Sequence, residues 1–299
     1  MTLPLFDSHD GPDRRLFDDA SFAQVRRGWY VERQALDALP RHRRHLLEVR
    51  AVAAARPGAI FARESALALA ELPCGDPRDV FTIGSASTSG FAACVRHSHA
   101  VVSDMDVVVT DGIARCSTAY ALADLARRGR QVDAVAALDW ALRTRVVERD
   151  EVADALARQG PRGRRRAAWV LAFADPLAES VGESWSRVLM HRMGAPTPEL
   201  QPRVATSIGD RFPDFRWERP GMRPLAGESD GAQKYGVLAD ANGIQPVDAV
   251  IAEKRREDAI RETHDMVRWM WDALLNPARL AAKLALAHLP VRTPLLPGW

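Results

Sequence analysis

Apolar residues recur along the chain with two periods. Leu36, Leu39, Leu46, Leu47, Val49 and Val52 are spaced to put apolar side chains on one side of a helix, predicting a helix over 36–55. Ahead of it, "DASFAQVRRGWYV" (19–31) reads as a short strand pair, or wing, around a basic turn at Arg26, Arg27 and Gly28. "AIFARESALALAEL" reads as a strand end running into a helix. "RDVFTIG", "FAACVRHSHA" and "DMDVVVTDGIARC" give three strand-like runs, rich in β-branched residues and broken by Gly, Ser and Asp. Ser117 or Thr118 can cap the helix "AYALADLARRG", and Gly129 ends it. Further helices are expected at about 131–147, 149–159 and 163–174.

"ADPLAESVGE" marks the expected domain boundary. Beyond it the pattern predicts a helix at 177–193, strands at 199–206, 211–218 and 222–229, a helix at 247–262 and a strand at 265–271. The fold class expected is α/β (α+β) in two domains. They span 14–160 and 175–275, after a disordered leader at 1–13 and before a C-terminal helix and tail at 276–299.

Composition narrows the function classes. Hydrophobic content of 47% and charged content of 27% are those of an ordinary globular protein. No apolar run reaches the ~18 residues of a membrane span, and no basic flank precedes an apolar stretch in "MTLPLFDSHDGPDRR", so no membrane partner or signal peptide is expected. Cys74, Cys94 and Cys116 are odd in number and lack metal-ligand spacing, which points to a reducing cytoplasm. Net charge is +2, and from residue 175 onward 16 basic residues face 17 acidic ones, so neither half carries a strong overall field. Local runs, "RHRR" (41–44) and "RGRRR" (162–166), could touch phosphates, although such runs are more often solvated faces. "HSH" at 97–99 puts two imidazoles on one strand face, with no third ligand to complete a zinc site. No nucleotide-binding glycine motif and no G-x-S-x-G occur.

The chemistry concentrates in the C-terminal half. "RPLAGESDG" starts as a buried strand, yet Glu228 and Asp230, two residues apart, project to one face. Two carboxylates held close repel unless a cation or proton lies between them. Asp214 interrupts the apolar run of Phe212, Phe215 and Trp217, Glu183 lies on the preceding helix, and Lys254 lies on the following one. If the strands are neighbours, Asp214 and Glu228 face one edge of the sheet. Gathered carboxylates suit Mg²⁺ or Mn²⁺, which would stabilise charge on a phosphoryl oxygen, with a lysine adding to the effect. Each residue also has a plainer reading: Glu183 as a solvated charge, Asp214 as a strand-end turn, Asp230-Gly231 as a turn, and Lys254 as part of a surface-paired helix.

Residues 227–269, "GESDG…KYG…EKRRED…VRW", resemble the PD-(D/E)xK nuclease superfamily, in the branch similar to very-short-patch-repair endonucleases, over roughly 175–275. The resemblance implies a restriction-endonuclease-like αβββαβ domain. In it Asp214 and Glu228 would be the ligands of Mg²⁺ or Mn²⁺ and Glu183 the helix carboxylate, orienting a second ion or water, with Asp230 a further candidate ligand. The lysine expected two residues after the glutamate is Asp230 here, so Lys234 or Lys254 would supply the catalytic cation. Over 25–158, "VRRGWYV", "FARESALALAELP", "VVVTDGIARCSTAYALADLAR" and "AALDWAL" resemble the AbiEi type of antitoxin. That family carries a winged helix-turn-helix first; only 20 residues precede "SFAQVRRGWYV" here, leaving room for a remnant of it.

Together these imply a metal-dependent endonuclease acting on nucleic acid, DNA rather than RNA. Arg26, Arg27, Arg255 and Arg256 are the expected phosphate contacts. The alternative is a non-catalytic regulator that binds DNA or a toxin protein.

Overall fold

The computed structural model describes residues 3–8, 20–85, 90–92, 94–230 and 246–292. The chain is a mixed α/β protein of two compact units, Met1–Phe173 and Ala174–Trp299.

In the first unit, β1 (Phe6–Asp7), β2 (Phe22–Arg26) and β3 (Trp29–Glu32) form a small antiparallel sheet in the order β1-β3-β2. The expected leader is therefore partly structured: Phe6 pairs with Tyr30 and its ring meets Phe22 edge-on at 5.5 Å, so apolar contact ties it down. Gly28, at φ +85°, makes the turn between β2 and β3 that Arg27 enters. After α1 (Arg33–Ala38) and α2 (Arg41–Ala55) come β4 (Ile60–Phe61), α3 (Arg63–Leu69), β5 (Val80–Gly84), β6 (Gly90–Ala92), β7 (Val95–His99), β8 (Val107–Thr110) and β9 (Ile113–Cys116). The strands form one mixed sheet in the order β6-β7-β5-β4-β9-β8. Val49 and Val52 of α2 pack with Phe61, Leu69, Val80 and Val95 as a core, the contact the helix periodicity anticipates. Four helices follow: α4 (Thr118–Arg128), α5 (Gln131–Arg143), α6 (Arg149–Arg158) and α7 (Arg164–Phe173). Ser117 caps α4 through its hydroxyl, which accepts from the Tyr120 N–H. Asp106, 2% exposed, accepts both bonds of the Arg158 guanidinium, at 2.9 and 2.7 Å.

The second unit runs α8 (Val181–Arg192), β10 (Glu199–Leu200), β11 (Val204–Thr206), β12 (Gly209–Arg211), β13 (Phe215–Trp217), β14 (Leu225–Asp230), α9 (Pro246–Arg261), β15 (Asp265–Met270), α10 (Trp271–Leu275) and α11 (Pro277–Leu286). Its sheet has the order β10-β13-β14-β15. β13 and β14 are antiparallel, whereas β14 and β15 are parallel and joined through α9. The expected strands at 199–206 and 211–218 are each cut in two. Gln201 takes φ +47° ahead of Pro202, which sends 204–211 out as a separate β11-β12 hairpin. Pro213 has no N–H to give a ladder and keeps Phe212 and Asp214 out of β13. The C-terminal helix starts at Pro277, where proline suits a first turn, and α10 before it went unpredicted.

An aromatic layer fixes this sheet. Phe215 packs against Trp269 (5.5 Å) and Trp217 (5.9 Å), and the Trp269 indole N–H donates to Ser186 Oγ on α8 at 2.8 Å. Gly227 lies between the two tryptophans. A Cβ there would stand 2.7 Å from Trp217 and 3.1 Å from Trp269. We expect Gly227→Ala to lower the unfolding free energy of this unit by about 1–3 kcal/mol, as an overpacked core does. Denaturant unfolding followed by tryptophan fluorescence measures it; an unchanged midpoint would mean the aromatic layer is loosely packed.

Candidate carboxylate site

The sequence-predicted acidic residues meet at one end of the second unit's sheet. Glu228, 4% exposed, sits in β14 opposite Arg268 of β15. Asp214, 8% exposed, precedes β13, whose Phe215 pairs with Gly227, so it lies one step along from that pair and beside Glu228. Its Oδ2 accepts the Ser229 N–H at 2.8 Å, tying this carboxylate to the β14 backbone. The Asp214 carbonyl accepts from the Gln201 N–H (3.2 Å), and the Gln201 side-chain amide donates to Glu183 Oε2 (3.1 Å). Glu183 is thereby brought to the same end of the sheet.

Glu183 owes its place to the start of α8. Ser180 Oγ accepts the Glu183 N–H at 3.1 Å, while Glu183 Oε2 accepts the Glu179 N–H at 2.8 Å, an arrangement like a capping box. The spacing Ser180-x-x-Glu183 was the readable signal for it. The residue is buried rather than the solvated charge of the plain reading. Gly182 lets this turn approach β14, because a Cβ there would lie 2.9 Å from Ser229 Oγ. Burial raises the Glu183 pKa, and the bonds from Glu179, Ser180 and Gln201 hold it back only in part.

Arg268 dominates the electrostatics. Its Nε and Nη2 donate to the two oxygens of Asp230, at 2.9 and 2.8 Å, in a fork. Nη1 donates to Glu257 on α9 at 2.9 Å, and Nη2 lies 3.3 Å from Glu228 Oε2. The hydrogen bond to Asp230, with the charges of Glu228 and Glu257, outweighs burial and raises its pKa still further, so it is a permanent cation. Arg256 of α9 reaches Glu228 Oε1 at 3.0 Å and donates to the Phe212 carbonyl at 3.3 Å. Its approach to Oε1 is an ion pair off the hydrogen-bonding line, since that oxygen has no aligned hydrogen bond. Burial works against the Glu257 carboxylate, but hydrogen bonds from Arg261 and Arg268 outweigh it and its pKa sits below the usual value.

Guanidinium groups therefore hold Glu228 and Asp230 together. Both Asp230 oxygens are engaged by Arg268, so Asp230 takes the part of an ion-pair acceptor rather than a metal ligand. Asp214, just ahead of β13, and Glu228 in β14 are neighbouring hard carboxylates, the donor chemistry that suits Mg²⁺, while guanidinium groups face both Glu228 oxygens. Among the described residues no group of three or more His, Cys, Asp or Glu is placed to hold a metal.

Of the expected cations, Lys254 is exposed on α9 and makes no ion pair among the described residues, while Lys234 lies outside them. Arg256 faces Glu228 rather than solvent alone, Arg255 is exposed, Arg27 is exposed at the β2–β3 turn, and Arg26 is half-buried in β2. Arg268, Gln201 and Glu257 were not singled out from sequence. The readable signal for Arg268 was a cation inside the apolar strand run "MVRWM", which needs a buried anion beside it.

No family model matches the chain, and no solved structure matches it. It is 34% identical over 175 residues to two uncharacterised proteins of Mycobacterium tuberculosis, MT2308 and Rv2248, covering 56% of this chain. The chain spans 59% of the length of these curated relatives.

The raised Glu183 pKa sets a pH dependence. The buried carboxyl favours its protonated form, so its contribution to stability is present below the ordinary glutamate pKa and lost as pH rises through the raised folded value. Glu183→Gln keeps an acceptor for Glu179 and Gln201 but cannot ionise. We expect the stability difference, variant minus native, to grow as pH rises from about 4 to neutrality; a pH-independent difference in urea unfolding would contradict this.

Proposed function

We propose that the C-terminal unit hydrolyses nucleic-acid phosphodiesters, DNA before RNA, with Mg²⁺ or Mn²⁺ held by Asp214 and Glu228. The observation that carries this reading is the Asp214 bond to the Ser229 N–H, which sets one buried carboxylate beside another on the neighbouring strand. With the β11-β12 hairpin set aside, the order α8, β10, β13, β14, α9, β15 supports it, since the PD-(D/E)xK resemblance implies helix, three strands, helix and strand. A divalent ion at this pair would supply Lewis acidity and an activated water. Gln201 orients Glu183 and the Asp214 backbone, fixing the helix carboxylate relative to the pair. Arg268 keeps Asp230 and Glu257 in place. Arg256, at 32% side-chain exposure, is positioned to leave Glu228 for a substrate phosphate, a role for which sequence favoured lysine.

A second reading is favoured by one observation. Where the resemblance expects lysine the chain has Asp230, clamped by Arg268. In that reading the unit binds DNA or a toxin-like protein without turnover, and the first unit, with its antitoxin-like sequence, serves the same recognition.

Supercoiled plasmid incubated with the full chain separates them. We expect nicking that needs Mg²⁺ or Mn²⁺, falls at least 100-fold in Asp214→Ala and Glu228→Gln, and persists in Lys254→Ala. No nicking, together with a DNA gel shift that survives EDTA and Glu228→Gln, would overturn the hydrolase and establish the binding reading.

A further inference from the structure

The run "RGRRR" is left unexplained by the carboxylate site, and its surroundings lie wholly within the first unit. A pocket of about 740 Å³ opens there, lined by His99, Tyr120, Arg127, Arg128, Arg162 and Arg166. The volume lies within the range of small-molecule sites, about 300–1,000 Å³. Four guanidinium groups on one pocket are costly unless anions meet them. Asp124 pairs with Arg128 at 2.8 Å and with Arg127 at 3.4 Å.

Backbone carbonyls and Gln159 hold the cationic wall in place. Arg127, 7% exposed, spends Nε on the Arg162 carbonyl (2.9 Å) and Nη1 on Gln159 (2.9 Å), and its Nη2 lies against Gly160 in the pocket wall. Gln159 in turn donates to the Tyr120 carbonyl at 2.9 Å. Gly163, at φ +82°, lets the loop touch the end of α4, because a Cβ would stand 2.6 Å from the Arg127 carbonyl. Arg166 is fixed by donating to the Gly129 carbonyl. Arg162 differs from these. It is exposed, and its side chain makes no hydrogen bond or ion pair among the described residues. The pocket thus pairs a rigid cationic wall with one unengaged guanidinium at its rim. Guanidinium forks match phosphate oxygens bidentately, and an anion entering here would meet the unengaged Arg162.

We propose that this pocket binds a phosphate-bearing ligand of nucleotide size, with Arg127, Arg128 and Arg166 as the fixed wall and Arg162 closing on the phosphate. This site is independent of the carboxylate cluster. The same chemistry is offered by a free nucleotide or by the backbone of a nucleic-acid strand.

Isothermal titration of the full chain at low salt with pyrophosphate, ADP and a ten-nucleotide single-stranded DNA tests it. The proposal requires binding of at least one probe, weakened tenfold or more by Arg162→Glu. Arg165→Glu, the same charge change at an exposed residue outside the pocket lining, should alter binding less than twofold, and Asp214→Ala should leave it unchanged. Tightest binding by ADP would mark a free nucleotide as the ligand, and tightest binding by the oligonucleotide a strand backbone. Failure of all three probes to bind at millimolar concentration would overturn the proposal. Equal losses in Arg162→Glu and Arg165→Glu would also overturn it, since binding would then follow net charge alone.

Discussion

A guanidinium on β15 set against the carboxylates of its parallel neighbour β14 is the constraint on which the second unit turns. Glu228 and Arg268 occupy opposite positions in the β14–β15 ladder, so the backbone register itself brings anion and cation together. Asp230, two residues on, reaches the same guanidinium, and Glu257 reaches it from the crossover helix. Arg268 therefore touches the two strands and the helix that joins them. Removing a buried charge's partner costs far more than an exposed ion pair is worth, because the orphaned group has lost its water. The ladder, the helix and the acidic site are thus coupled through one side chain.

The rest of the unit supports that arrangement from below. Trp269, next to Arg268 in sequence, points to the other face and packs on Phe215, while its indole N–H bonds to α8. Alternation along β15 accordingly puts charge chemistry on one face and the aromatic layer on the other. Small residues admit the close approaches: Gly227 between two indoles and Gly182 against Ser229. The capped start of α8 then delivers Glu183 to the Gln201 bridge. A site with buried, mutually positioned carboxylates results, built on β14, the start of α8 and the residue leading into β13, which suits chemistry that needs fixed geometry.

Much of this was legible in the residues, and the failures have physical causes. The positions of α8, β14, α9 and β15 follow from periodicity, and Asp214 and Glu228 stand out because carboxylates interrupt apolar strands. The division of 199–206 and 211–218 was missed because β-branched and aromatic residues argue for strand while Pro202 and Pro213 act locally against it. Sequence offers Lys234 and Lys254 as cations near the carboxylates and does not point to Arg268, which pairs with Asp230 from 38 residues away, a pairing that only the parallel register reveals. In the first unit the basic run at 162–166 reads from sequence either as a phosphate contact or as a solvated face, since sequence does not show that Arg127 and Arg128 lie beside it.

The central claim is that Arg268 stabilises the unit by neutralising Glu228 and Asp230. Unfolding free energies of Arg268→Met, alone and combined with Asp230→Asn and Glu228→Gln, measure it most directly. Alone, the loss should be about 3 kcal/mol, the lower end for a buried pair because Arg268 keeps 22% side-chain exposure. With both carboxylates neutralised, most of that loss should disappear. A loss of the same size in both backgrounds would contradict the account, and would assign Arg268 to packing rather than to charge.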